Sequence, residues 1–366
     1  MAEEGSVEEL GGADGKRSGR RAAVRFAQRL ADTPELGIIA AVGVAFAIFA
    51  SINPLFASSS ELQNLGVDLA EFGILAIGES FAIITGGIDL GIGSLTALMV
   101  VMSAWLNNTA GLPVLLAFLV AILMGAAVGL WHGLWITRLG IAPFIITLVT
   151  FIGAAGADEA IAQTPVQISS PTFLAVAGST VAGVPVPVVM FAVIALLAWF
   201  FLERTYLGRQ VYAVGGNREA ARLAGIPTNR RIVLAYVVSG SCAAVVGIIF
   251  ASQLTSGTAD STTGYELIAI ASAVIGGVSL IGGQGRIVGV VAGAALLVVL
   301  EQGLVAVNVN AYYQSMVVAF VLLVAVVADR LRVRRLERTG ARVRTPRPPD
   351  EAAKSADPPG VVSGTP

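Results

Sequence analysis

The chain has 366 residues, 55% of them hydrophobic and 13% charged, with a formal net charge of −1 and a mean hydropathy of +0.81. That balance excludes an ordinary soluble domain, in which about a quarter of residues are charged, and points away from nucleic acid as a partner. A single cysteine, Cys242, and a single histidine, His132, exclude an intrachain disulfide and leave no zinc-ligand spacing.

Residues 1 to 35 are polar, Gly-rich and charged and read as a cytoplasmic tail. The apolar run that starts at Leu36 has no small-residue cleavage pattern after a short hydrophobic stretch, so it reads as an uncleaved first span. Crossing a hydrocarbon core takes roughly 20 residues of helix. Runs near that length fall at 36 to 56, 62 to 84, 90 to 107, 113 to 136, 143 to 162, 186 to 203, 231 to 253, 265 to 281, 287 to 307 and 312 to 329. The expectation is an all-α, polytopic transmembrane bundle of ten helices occupying 36 to 332. A second polar tail follows at 333 to 366, where Arg alternates with Pro and small residues.

The basic residues test this count. All 23 Lys and Arg lie before residue 35, at Arg138, in the cluster from 204 to 231, at Arg286, or from Arg330 onward. Short loops rich in Lys and Arg stay on the cytoplasmic side. With the N-terminus inside, the inside loops near 137 to 142, 204 to 230 and 282 to 286 hold every basic residue between 36 and 329 except Arg231, which adjoins the second of them. The outside loops near 57 to 61, 108 to 112, 163 to 185, 254 to 264 and 308 to 311 hold none. Both termini are therefore expected inside, in a multi-pass protein of the cell membrane.

Within the spans, Glu61, Asn64, Asp68, Glu71 and Glu79 share a narrow arc of the second helix, an acidic stripe with no basic partner nearby. Charge in a bilayer is costly and normally faces a cavity or the bundle interior. Such a stripe could line a path or an interface, or 61 to 71 could form an interfacial helix wetted at the outer mouth. Two Gly-rich breaks follow apolar runs, Gly86-Gly87-Ile88-Asp89-Leu90-Gly91 and Gly276-Gly277-Val278-Ser279-Leu280-Ile281-Gly282. They begin 190 residues apart, as in transporters built from two related halves around a pseudo-twofold axis. Asp89 is placed to cap the helix that begins near Gly91, with a direct solute or proton role as the alternative. Gly125, Gly129 and Gly133, four apart on one face, let another helix backbone approach closely. His132, between Trp131 and Trp135, reads as an interfacial anchor.

The long basic loop carries a short helix of its own. Asn217 can cap it, Ala220, Leu223 and Ala224 form an apolar stripe, Gly225 can end it and Pro227 stops it. Arg218 and Arg222 fall on one side. A helix too short to be stable alone should dock against something; anionic lipid headgroups are one candidate.

Three stretches in order resemble the ribose and xylose type of ATP-binding-cassette (ABC) permease: Glu79 to Ser94 (ESFAIITGGIDLGIGS), Gly208 to Pro227 (GRQVYAVGGNREAARLAGIP) and Gly264 to Gly289 (GYELIAIASAVIGGVSLIGGQGRIVG). Tyr312, Tyr313 and Gln314 continue the similarity, which covers roughly 36 to 332. The resemblance implies a sugar importer made of two membrane subunits, a cytoplasmic ABC ATPase and an extracytoplasmic sugar-binding protein. The second membrane subunit is another copy of this chain or a paralogue. ATP and magnesium would be held by the ATPase and no cofactor by this chain. Gly208, Gly215, Asn217, Arg218, Glu219, Arg222, Leu223 and Gly225 would belong to the ATPase-coupling loop, with Glu219, Arg222, Leu223 and Gly225 among the contacts.

Glu79, Phe81, Gly86, Gly87, Asp89, Phe144, Thr147, Gly276 and Gly277 are the motif and pathway candidates for a small neutral solute such as ribose or another pentose. The chain is not expected to be an enzyme. A phosphate-cradling loop needs a Gly-Lys followed by Ser or Thr, and the nearest approach, Gly277 to Gly283, has neither the Lys nor the hydroxyl. The alternative is an ion-coupled secondary transporter using Glu79 and Asp89 as proton carriers.

Overall fold

A computed structural model describes residues 34–310, with 312–314, 316, 317, 319, 320, 323, 324 and 327 beyond them. The expected tails, apart from Pro34 and Glu35, and much of the span at 312 to 329 lie outside the described residues. The elements below belong to one compact unit, Met1–Val326.

In chain order the helices are α1 (Pro34–Ile52), α2 (Ser59–Ile84), α3 (Ile92–Asn108), α4 (Val114–Arg138), α5 (Pro143–Ile161), α6 (Pro171–Gly178) and α7 (Val186–Trp199). They continue as α8 (Tyr206–Gly216), α9 (Arg218–Leu223), α10 (Thr228–Gln253), α11 (Tyr265–Ile275) and α12 (Ile287–Ala306). A π-helical turn, Phe200–Arg204, extends α7. The strands are two-residue pieces. β1 (Val166–Gln167) pairs antiparallel with β4 (Ser256–Gly257), and β2 (Thr180–Val181) with β3 (Val184–Pro185).

Among the described residues six stretches, Glu35–Ile52, Val114–Arg138, Pro143–Ile161, Val186–Arg204, Thr228–Gln253 and Ile287–Ala306, are long and apolar enough to cross a membrane. The eighth expected span is shorter than the sequence suggests. Its helix, α11, has only 11 residues, about 16 Å at 1.5 Å per residue, because the chain breaks at Gly276 and Gly277 while the apolar run continues to Ile281. The second span departs the other way: α2 runs unbroken over 26 residues, so 61 to 71 is no separate interfacial helix.

At the centre α10 packs along α4. A side-chain carbon added to Gly129 would lie 2.6 Å from the Tyr236 carbonyl carbon, and one added to Gly133 would lie 2.5 Å from the Val233 Cα. At Gly125 it would meet the Gly240 carbonyl oxygen. The glycine face of α4 thus brings two backbones into contact, which raises dispersion contact where lipid supplies no hydrophobic drive. Around this seam α2 and α3 pack on α10, α5 on α3, and α1 beside α12. Beside α12, Phe49 lies against Gly303, and the Asn53 side-chain amide donates to the Ala306 carbonyl at 2.9 Å.

The loops gather at two ends. At one end the break after α2, the α4–α5 loop, α8 and α9 surround a common pocket. Arg286, before α12, pairs with Glu35 of α1 at 3.6 Å. At the other end β1 meets β4, and the Asp260 N–H donates to Asp158 at 3.2 Å. Every described basic residue, from Arg138 to Arg286, comes from a segment that the charge pattern assigns to the inside.

Candidate functional site

The two Gly-rich breaks end their helices in the same way. Gly86 and Gly277 both have φ +87°, a left-handed conformation that costs glycine little. The Gly87 N–H reaches back to the Ala82 carbonyl at 3.0 Å and the Gly86 N–H to Ile83 at 2.9 Å. The Val278 N–H reaches Ala273 at 3.0 Å and Gly277 reaches Val274 at 2.9 Å. Each is a Schellman cap. The structural register pairs Gly86 with Gly277, and Thr85 with Gly276, so it is shifted one residue from the alignment of the Gly-Gly pairs. The breaks also touch: the Gly283 N–H donates to the Ile84 carbonyl at 2.9 Å, and a carbon on Gly282 would lie 3.1 Å from the Gly86 Cα. Gly276 meets Gly289 of α12 with the same intimacy: a carbon added to Gly276 would lie 2.6 Å from the Gly289 carbonyl carbon.

Behind the first break lies a buried polar cluster. Asp89 accepts the Gly91 N–H at 3.1 Å and the Ser239 hydroxyl of α10 at 2.7 Å. Glu79 of α2 accepts the Asp89 N–H at 3.1 Å. The carboxylates therefore tie the break to α2 on one side and α10 on the other. His132 is fully buried, with Nδ1 3.8 Å from Asp89 and Nε2 2.6 Å from the Thr150 hydroxyl of α5. Its ring meets Tyr236 edge-on. His132 is thus no interfacial anchor. Its partners come from α5, α10 and the break, which only the tertiary fold brings together. Sequence reasoning singled out Glu79 and Asp89 but missed Thr150, Tyr236 and Ser239. For Thr150 and Ser239 the one signal was small polar residues recurring on otherwise apolar helices.

The rest of the acidic stripe is divided. Asp68 accepts the Gln302 side-chain amide of α12 at 2.6 Å, Glu71 is buried, and Glu61 accepts from Asn64 at 3.4 Å. Of the pathway candidates Phe81, Phe144 and Thr147, Phe81 is buried and packs on Phe201 with ring centroids 5.9 Å apart. Thr147 is buried and donates to the Pro143 carbonyl at 3.0 Å. Only Phe144 is open, at 54% exposure.

The basic loop folds as two short helices. The Thr205 hydroxyl caps α8 by accepting from the Gly208 N–H at 3.0 Å, and Gly208 and Gly215 permit backbone contacts that a side chain would block. A carbon on Gly208 would lie 2.6 Å from the Leu202 carbonyl carbon, and one on Gly215 would lie 2.6 Å from the Gly283 nitrogen. The Tyr212 hydroxyl donates to the Gly285 carbonyl at 2.9 Å. Burial and the nearby Glu203 push its pKa up to about 12, so it stays a proton donor.

Asn217 caps α9 by accepting the Ala220 N–H at 2.9 Å. Gly225, at φ +81°, ends it with a Schellman pair, Gly225 N–H to Arg222 at 3.0 Å and Ile226 N–H to Ala221 at 3.0 Å. Ala221 faces inward, whereas Ala220, Leu223 and Ala224 face outward, with Leu223 76% exposed. Arg222 and Glu219 pair at 2.6 Å, and that hydrogen bond holds the Glu219 carboxyl below its ordinary pKa and the Arg222 guanidinium above its own. Arg218 turns away to donate to Asn229 at 3.1 Å. The outcome is a capped, rigid knob with an unburied apolar face.

Known proteins supply the context. The family described as "Branched-chain amino acid transport system / permease component" matches residues 62–327. The chain is 38% identical over 293 residues to the ribose import permease protein of Escherichia coli (strain K12), covering 78% of this chain and 90% of that protein. It is 35% identical over 292 residues to the D-allose transport system permease protein of the same strain, covering 79% and 90%. It is also 35% identical over 307 residues to that strain's L-arabinose transport system permease protein, covering 81% and 91%. No solved structure matches.

Proposed function

Because the chain belongs to the family of transport-system permease components, alongside ABC-type sugar permeases, we propose that it forms the membrane-spanning part of an ATP-driven importer for a small neutral sugar. It is a transport subunit and not itself an enzyme. Ribose or a similar pentose is the cargo we assign. A cytoplasmic ABC ATPase binds ATP and magnesium, an extracytoplasmic binding protein delivers the sugar, and a second copy or a paralogue of this chain completes the pathway. The protein crosses the cytoplasmic membrane ten times with both termini inside. The two breaks mark the ends of related half-bundles about a pseudo-twofold axis.

One observation carries this reading: α9 presents Leu223 and its flanking alanines outward at the end where the basic segments gather. A six-residue helix cannot sustain itself in isolation, and exposed leucine there is best explained by a partner's groove. Glu219 and Arg222, paired on the same turn, preset the charge pattern that the ATPase meets. Movement of the ATPase then passes through α9 to α8, and from Gly215 to the touching breaks, as a rigid displacement.

A specific observation weighs against ion coupling. Asp89 uses both carboxyl oxygens, accepting the Gly91 N–H and the Ser239 hydroxyl, and Glu79 uses Oε1 to accept the Asp89 N–H, which is the work of structural caps, although Glu79 Oε2 has no partner among the described residues.

The test is uptake of labelled D-ribose, D-allose and L-arabinose into proteoliposomes holding the chain with its ATPase and binding protein. ATP-dependent uptake of one of them is expected. Uptake by the chain alone, driven by a proton or sodium gradient, would overturn the reading.

A further inference from the structure

The basic loop spends its arginines in two ways. Arg218, Arg222 and Arg231 hydrogen-bond within the protein, to Asn229, Glu219 and Gln210. Arg204 and Arg209 are exposed, and among the described residues their side chains have neither an ion pair nor a hydrogen bond. Both lie instead over aromatic rings, on either side of the corner where α7 gives way to α8. The π-helical turn Phe200–Arg204 accounts for the first. Its hydrogen bonds join residues five apart, which returns residue 204 to the side of residue 199, and the Arg204 guanidinium stands 5.1 Å from the centre of the Trp199 ring. Arg209 lies 5.9 Å from the centre of the Tyr206 ring in the first turn of α8. Both are within the roughly 6 Å reach of a cation–π contact.

The corner itself is fixed. The Thr205 hydroxyl donates to the Phe201 carbonyl at 2.6 Å and accepts the Gly208 N–H at 3.0 Å. Gly208 packs so closely that a side-chain carbon there would lie 2.6 Å from the Leu202 carbonyl carbon. Glu203, the only carboxylate between Trp199 and Gly216, has a buried Oε1 and lies near Tyr212; it pairs with neither arginine. On the approach to the corner α7 exposes Leu196, Leu197 and Phe200. From Phe200 to Arg204 the helix rises no more than about 6 Å, and the headgroup layer of a bilayer is about 5–7 Å thick. Apolar side chains, then aromatic rings, then guanidinium groups one headgroup's depth further out follow the order in which a phospholipid presents acyl chain, glycerol and phosphate. The positive charge left uncompensated by the protein selects an anionic headgroup, since a zwitterionic one carries its own cation.

We propose that the α7–α8 corner is a binding site for an anionic phospholipid in the leaflet where the basic segments gather, its headgroup held by Arg204 and Arg209 and its acyl chain lying against Leu196, Leu197 and Phe200. The lipid anchors the end of α8 farthest from α9, so the two short helices move from a fixed point. The inference uses the membrane span and the gathering of the basic segments at one end, and it stands independently of the cargo and the ATPase.

Native mass spectrometry of the purified, delipidated chain reads the site, with phosphatidylglycerol and phosphatidylcholine of the same acyl chains as probes. Attraction of this kind changes affinity about fivefold for each arginine, so the wild type should prefer phosphatidylglycerol by about 30-fold. Arg204→Gln or Arg209→Gln alone should reduce that preference about fivefold, and the two together should abolish it. Phosphatidylcholine binding, which reports the folded apolar surface, should stay at the wild-type level in all of them. Arg230→Gln, which removes an exposed arginine elsewhere in the loop, should keep the preference. An unchanged preference in the double variant would overturn the site, and loss of a co-purifying ATPase from that variant would then assign the corner to a protein partner. An equal loss in Arg230→Gln would also overturn it, as an effect of bulk charge. Millimolar inorganic phosphate should leave the lipid bound; displacement by phosphate would overturn the lipid assignment in favour of a soluble anion.

Discussion

Gly129→Ala is the sharpest perturbation of the α4–α10 seam. The added methyl would stand 2.6 Å from the Tyr236 carbonyl carbon and 2.8 Å from the Val237 Cα, against an optimal carbon separation of about 3.5–4.0 Å. Relief therefore requires the helices to part by about 1 Å. The obstructing atoms are backbone in the middle of a 26-residue helix, so no rotamer change can absorb the clash. Overpacking of this kind costs about 1–3 kcal/mol. Gly153→Ala is the matched control, because nothing lies within 4 Å of that position and replacing a mid-helix glycine gains about 0.5–1 kcal/mol. Gly129 is also mid-helix, so that gain is common to both variants, and reversible unfolding of the purified chain in mixed micelles, followed by tryptophan fluorescence, should separate them by the overpacking cost, roughly 1–3 kcal/mol. Equal stability would refute close backbone contact at this seam.

Other outcomes follow from the same geometry. Replacing Asp89 with Leu leaves the Ser239 hydroxyl and the Gly91 N–H without their acceptor and should destabilise the chain by about 2–5 kcal/mol; a neutral effect in the same unfolding assay would contradict the capping role. Glu79→Gln keeps an amide oxygen for the Asp89 N–H, so ATP-driven uptake should persist, whereas near-complete loss with normal assembly would return ion coupling to the front. In Arg222→Gln the Glu219 carboxyl loses the partner that lowers its pKa and should titrate at higher pH than in the wild type. By linkage, the wild-type pair contributes above the ordinary glutamate pKa of about 4.3 and is lost as pH falls through the lowered value. Unchanged carboxyl midpoints by NMR would contradict that pairing.

Much of this architecture was legible because bilayer chemistry writes it in composition. Apolar length located the stretches that form α1, α4, α5, α7, α10 and α12, and the glycine face of α4 announced its close partner without naming α10. The end of α11 was hidden because Val278, Leu280 and Ile281 keep the run apolar past the break, so hydropathy cannot see a change in backbone conformation. The one-residue shift between the breaks was hidden for a related reason: Gly-Gly pairs align by identity, yet the Schellman geometry needs its glycine only at the left-handed position. In α9 the cap and stop were readable from Asn217, Gly225 and Pro227. That its apolar stripe faces outward, with Ala221 turned inward, required the packing of the whole end. The cluster around His132 was the least legible part, since its members are far apart in the chain and each alone resembles an ordinary buried polar residue.

The central claim is that α9 docks an ATPase, and it is tested most directly by purifying the tagged chain from its native membrane in mild detergent and identifying what accompanies it stoichiometrically. The account predicts a co-purifying ABC ATPase that is lost when Arg222 and Leu223 are replaced by Asp, with the permease still folded. A chain that purifies without any ATPase yet transports sugar under an ion gradient, or an ATPase retained undiminished by the double replacement, would contradict it.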